Sequence, residues 1–137
     1  MRYVLIVDDK KSERYLLKTV LEAYGYRVTE TVNGQEALAS ARVETPDIII
    51  SDILMPIMDG FELCREWMKD NTLKTIPFIF YTATYTTLED EKLALDLGAT
   101  RYIIKPQEPD VLVGLLKEIF AQKETLSLPL IDSFPDE

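Results

Sequence analysis

Residues 47–52 read Asp-Ile-Ile-Ile-Ser-Asp, three β-branched side chains in a row between polar ends. A run that is apolar at consecutive positions suits a strand buried on both faces of a parallel sheet, because a half-solvated strand would alternate. Two similar runs flank it, Tyr-Val-Leu-Ile-Val at 3–7 and Ile-Pro-Phe-Ile-Phe-Tyr at 76–81. Residues 26–30 and 101–105 are more polar and read as strands nearer the sheet edges. Between these strands the spacing predicts helices over about 11–24, 34–43, 60–70, 88–97 and 110–123. Apolar residues recur there at helical intervals, as Leu16, Val20 and Tyr24 do, or Leu112, Leu115, Leu116 and Ile119. Gly25 and Gly98 stand where helices should end, and Asn33 and Pro109 where helices should start. Pro46 and Pro77 sit at strand entries, where a missing N–H is tolerated. The pattern is βα repeated five times, an α/β fold with connections short enough for parallel crossovers.

The whole chain of 137 residues suits one domain, and its 47% hydrophobic and 28% charged residues are the balance of a folded globular protein. With no His and one Cys, Ser-His-Asp and Cys-His catalysis and zinc sites built from those residues are excluded. The single Cys also forbids an internal disulfide and points to a reduced, cytoplasmic setting. A net charge of −9 repels phosphate backbones, so direct nucleic-acid binding is not expected. No apolar run approaches the ~20 residues of a membrane span. Residues 125–137 (TLSLPLIDSFPDE) hold Pro129 and Pro135 and no Lys or Arg. They read as a linker or frayed end, which gives a domain over 1–122 and a tail over 123–137.

In an open α/β sheet, ligands bind beyond the carboxyl ends of the strands. The first strand is followed by Asp8 and Asp9, the third by Asp52, the fourth by Thr82, and the fifth ends in Lys105-Pro106. Three carboxylates on one edge repel one another unless a cation intervenes, and Mg²⁺ suits a few carboxylates completed by water and phosphate oxygens. Lys105 adds a positive charge for an anionic ligand and Thr82 a hydroxyl donor, so the group describes a phosphoryl pocket beside Mg²⁺. A carboxylate can also accept the phosphoryl group itself. Asp52 is the candidate, since Asp8 and Asp9 would be engaged by the metal. Taken singly, each residue has a plainer role: Asp8-Asp9 as turn or N-cap chemistry, Asp52 as a loop cap, Lys105 as a solvated cation. Their arrival on one edge in this chemical complement is what favours function.

Val7-Asp8-Asp9, residues 51–60 (SDILMPIMDG), Tyr81-Thr82-Ala83 and Lys105-Pro106, in this order, resemble the response-regulator receiver domain of two-component signalling, the CheY-like superfamily. The likeness covers about residues 3–122, and the thirty-residue step from Asp52 to Thr82 is typical of it. It implies a three-layer, flavodoxin-like (βα)5 fold, with five parallel strands in the order 2-1-3-4-5 and helices on both faces. Asp52 would be the phospho-acceptor, with a sensor histidine kinase as donor. Asp8 and Asp9 would hold Mg²⁺ with Asp52 and the backbone carbonyl of Leu54. Thr82 and Lys105 would each contact a phosphate oxygen, and the Lys105-Pro106 bond would be cis. Thr82 and Tyr102 would form the switch, with Thr82 drawn inward and Tyr102 turning from exposed to buried. The face of the fourth helix, fifth strand and fifth helix would then change. Through it the domain would control a partner protein, a fused output domain or a second copy, with no catalysis beyond its own phosphorylation and dephosphorylation.

Three departures qualify the likeness. Lys10 follows the acidic pair and brings a cation near the metal site, although it also reads as a solvated side chain. Gln107 stands where Phe is frequent after Lys-Pro, and Leu54 cannot orient an attacking water, which implies slow self-dephosphorylation. On the third helix, Phe61, Cys64, Trp67 and Met68 fall at packing positions, and Tyr85 is a contact residue or an exposed loop aromatic. Two rivals share the fold class. A dehalogenase-type phosphatase would need Asp-x-Asp where this chain has Asp52-Ile53-Leu54, and a flavodoxin-like binding module would need a hydroxyl- or glycine-rich phosphate loop after the first strand.

Overall fold

The computed structural model describes residues 1–127. Chain order is β1 (Tyr3–Val7), α1 (Lys11–Ala23), β2 (Arg27–Thr31), α2 (Gly34–Val43), β3 (Ile48–Ser51), α3 (Gly60–Lys69), a 3₁₀ turn (Leu73–Thr75), β4 (Phe78–Thr82), α4 (Leu88–Asp96), β5 (Arg101–Ile104) and α5 (Pro109–Ser127). All strand pairs are parallel and the sheet runs β2-β1-β3-β4-β5, the expected order. Val7 pairs with both Thr31 and Ser51, Ser51 with Phe80, and Thr82 with Ile104. That register brings the carboxyl ends of β1, β3, β4 and β5 to a common edge.

The triple isoleucine behaves as its composition demands, with Ile48, Ile49 and Ile50 all buried. Alternate residues face opposite ways. Leu5, Val7, Ile49, Phe78 and Phe80 join Ala37, Leu38 and Ala41 of α2 and Leu63, Cys64 and Trp67 of α3 in one core. Val4, Ile6, Ile48, Ile50 and Ile79 are buried on the other face, where Leu21 anchors α1. Asn33 and Asp59 cap α2 and α3 by accepting from the amides of Glu36 and Glu62. Thr87 and Asp90 form a reciprocal capping box on α4. Gly25 and Gly98 lie at φ 91° and 113°, just past α1 and α4, a region other residues enter at a cost.

Several boundaries differ from the sequence reading. In α1 the sheltered stripe is Leu17, Val20 and Leu21, while Leu16 and Tyr24 are exposed. Two adjacent leucines fit either phase, and Leu21, fully buried, selects the one that carries Leu17 on its face. β4 starts after Pro77 and includes Thr82, because its pairing with β3 begins at Ile49 and Phe78. The compact unit over Met1–Gln107 holds the sheet and α1 to α4, and a second unit starts at Glu108. There, α5 buries Leu112, Leu116 and Ile119 and extends past residue 123 to Ser127, so the first part of the expected tail is helical. The remainder of that tail, 128–137, lies outside the described residues. Among the described residues no helix is long and apolar enough to cross a membrane.

Candidate functional site

Asp8 follows β1 directly and is only 5% exposed; Asp52 follows β3 and is 6% exposed. Each carboxylate is held at one oxygen by a nearby amide. The Lys10 N–H donates to Asp8 Oδ1 at 2.9 Å, and the Ile53 N–H donates to Asp52 Oδ1 at 2.7 Å. The plainer reading of Asp8 as turn chemistry holds, since that bond is an Asx turn. The other oxygens converge on Lys105, whose Nζ is 2.8 Å from Asp8 Oδ2 and 3.2 Å from Asp52 Oδ2. Lys105 is placed by its own N–H, which donates to the Thr82 carbonyl at 2.9 Å, and its peptide bond to Pro106 is cis.

A third carboxylate reaches the same ammonium. Glu13, in the first turn of α1, has Oε1 3.1 Å from Lys105 Nζ. Sequence reasoning passed over this residue because a first-turn glutamate already has a role in complementing the helix dipole. The missed signal is that Glu13, Leu17 and Leu21 lie at successive intervals of four, so a charge heads the inward stripe. Arg14 fixes that turn, donating to the Asp8 carbonyl at 2.8 Å and pairing with Glu30 at 3.4 Å. Burial works against the Lys105 ammonium, but the carboxylates of Asp8, Asp52 and Glu13 outweigh it and hold its pKa above that of an ordinary lysine.

The other expected residues are placed less closely. Asp9 and Lys10 are exposed, as is Leu54 beyond the acceptor loop. Thr82 is fully buried, and its hydroxyl accepts from the amides of Thr84 (3.1 Å) and Tyr85 (3.5 Å) rather than meeting Asp52. Tyr102 is already half-buried, not exposed. Its ring lies 6.0 Å from that of Phe80, and its hydroxyl donates to the Tyr85 carbonyl. Burial, reinforced by the charges of Asp90, Glu91 and Asp52, pushes its pKa up to about 12. Tyr85 is half-buried rather than an exposed aromatic, and it packs edge-on against Phe61 at 5.7 Å. Gln107 is held by two hydrogen bonds, one from its backbone and one from its side chain. Its N–H donates to the Tyr81 hydroxyl at 3.1 Å and its side-chain amide to the Ile104 carbonyl at 2.9 Å. Cys64 and Trp67 are buried packing residues, and burial lifts the Cys64 thiol to about 12.

Three carboxylates against one ammonium leave the edge negative, and every further donor there is oxygen, a set suited to a hard cation. The Lys105 ammonium stands in as that cation on Asp8 and Asp52. With that ammonium in place, no group of three or more Asp, Glu, His or Cys side chains among the described residues is arranged to hold a metal ion.

A family model for the response regulator receiver domain matches residues 4–117. The chain belongs to that family. Receiver domains are signalling switches of two-component systems, and the dehalogenase-type and flavodoxin-like alternatives fall with the assignment. Protein PilH of Pseudomonas aeruginosa is 36% identical over 121 residues, 88% of this chain and 99% of PilH. The alkaline phosphatase synthesis transcriptional regulatory protein PhoP of Bacillus subtilis is also 36% identical over 121 residues, but these are 49% of its length. The chain spans about half the length of most of the curated regulators it matches. A solved CheY-like receiver domain protein from Methanospirillum hungatei superposes with a TM-score of 0.85 at 31% identity, covering 93% of this chain and 99% of that one.

Proposed function

We propose that this receiver domain accepts a phosphoryl group on Asp52 from a sensor histidine kinase, in a Mg²⁺-dependent step. The observation that carries the reading is the buried Asp52 carboxylate 3.2 Å from Lys105 Nζ, with Asp8 on the same ammonium. A carboxylate oxygen of Asp52 attacks the phosphorus. The bond from phosphorus to the donor's imidazole nitrogen breaks, and the nitrogen leaves with its electron pair. Lys105 then pairs with one phosphoryl oxygen, and the Thr82 hydroxyl donates to another after releasing the amides of Thr84 and Tyr85. Asp8, Asp9, Asp52 and the Leu54 carbonyl are the donors that would hold Mg²⁺. When bound, Mg²⁺ supplies positive charge against the phosphoryl oxygens.

Release of those two amides loosens the loop leading into α4, and Tyr102 follows because its hydroxyl is bonded to the same loop. The surface of α4 and β5 carries the change to a partner protein, an output domain or a second copy of the chain. The relatives support both arrangements: PhoP, a transcriptional regulatory protein, is about twice the matched length, whereas PilH is matched almost whole. In this reading residues 1–122 form the receiver, 123–137 a tail or linker, and the protein works in the cytoplasm without further enzymatic activity.

Intact-mass measurement with acetyl phosphate and Mg²⁺ tests the reading. The wild type should gain one phosphoryl group, Asp52→Asn none, and a chelator should abolish the gain. No gain from acetyl phosphate or from a phosphorylated kinase, or an equal gain in Asp52→Asn, overturns it.

A further inference from the structure

The Lys105 ammonium has three N–H donors and meets three carboxylates, those of Asp8 at 2.8 Å, Glu13 at 3.1 Å and Asp52 at 3.2 Å. Two of these partners are the carboxylates assigned above to Mg²⁺, and Glu13 is the third. We propose that Glu13 is a positioning residue, the anchor that retains Lys105 when Asp8 and Asp52 turn their oxygens to Mg²⁺, and so sets how readily the cation enters. This inference rests on the Mg²⁺ reading of the site.

The physical argument begins with exclusion. An ammonium and a divalent cation repel each other strongly at contact distance, so both cannot share the same carboxylate oxygens. Lys105 must therefore give way, but its side chain is only 10% exposed and is costly to leave charged and unpaired. The Tyr81 ring, 5.4 Å from Nζ, offers a weaker contact. Glu13 offers a full carboxylate that is already in place, and its 41% exposure means that a shift toward it is a shift toward water. The ties from Arg14 to the Asp8 carbonyl and to Glu30 hold that turn of α1 in position. Lys105 thus stays close enough to meet a phosphoryl oxygen while leaving the metal's oxygens.

Calorimetric titration with Mg²⁺ alone, without a phosphoryl donor, provides the test. Glu13→Gln should weaken Mg²⁺ binding about two- to fivefold, the range of a half-exposed ion pair. Glu13→Asp keeps the charge but is one methylene short, and should weaken it equally. In a Lys105→Met background, Glu13→Gln should have almost no effect. Wild-type affinity in Glu13→Gln or Glu13→Asp overturns the proposal, as does a loss that persists without Lys105, because Glu13 would then act through its own charge. If Lys105→Met does not fold, Glu13→Asp decides. Absence of saturable Mg²⁺ binding in the wild type overturns the reading of the site itself, a result distinct from any of these.

Discussion

Ile57, in the loop between β3 and α3, has φ 71° and is 74% exposed. A β-branched side chain in this left-handed region is crowded against its own backbone, and an exposed position gains little burial in return. Asn enters the region more easily. Ile57→Asn should therefore raise stability by about 1 kcal/mol, read as a higher urea midpoint at unchanged slope. An unchanged midpoint would mean that the isoleucine is not strained. Residue by residue, Asp8, Asp52, Thr82 and Lys105 were legible because each ends or directly follows a β-rich run. Glu13 was not, because its importance depends on where the turn of a helix meets a lysine 92 positions later. The side to which the Thr82 hydroxyl and Tyr102 ring turn was equally out of reach, since both depend on loop amides and carbonyls that no pattern of side chains records.

At the scale of elements, the start of α3 is pressed against the acceptor. The Gly60 N–H donates to the Ile53 carbonyl at 2.7 Å, and a Cβ on Gly60 would lie 2.3 Å from the Asp52 carbonyl oxygen and 2.8 Å from the Ile53 Cα. These are backbone atoms that cannot swing aside. Gly60→Ala should cost about 1–3 kcal/mol in chemical denaturation, with phosphoryl uptake at Asp52 reduced in the folded fraction. Gly25→Ala or Gly114→Ala meets no such obstacle, although Gly25 has its own positive φ. Most helix and strand positions were readable from caps, glycines and β-branched runs. The 3₁₀ turn at Leu73–Thr75 was not, because it depends on the Asp70 carboxylate accepting from the amides of Thr72 and Leu73 at 2.9 and 3.0 Å. The end of α5 was placed too early because residues 124–127 lack a breaker, and the first proline comes only at Pro129.

At the scale of the whole molecule, Tyr102 and Lys105 both hold their protons more tightly in the folded chain. Burial raises Tyr102 from 10.0 to about 12, and Lys105 is raised above 10.5 by its carboxylates despite burial. Above about pH 10 the unfolded chain releases these protons before the folded one does, so stability falls as pH rises. Thermal midpoints should drop across that range, and Tyr102→Phe should flatten part of the drop between pH 10 and about 12. The fold as a whole was legible because five βα units in a chain of this length leave few topologies, whereas the phase of α1 depended on which of two adjacent leucines the sheet could cover. The outermost strands have a further consequence. β2 and β5 are only five and four residues long, each opens with an arginine, and Arg27 is clamped to Glu44 and stacked on Tyr3. An incoming strand would have to strip water from those charges to extend the ladder. Edges of this kind are poor templates for fibril growth.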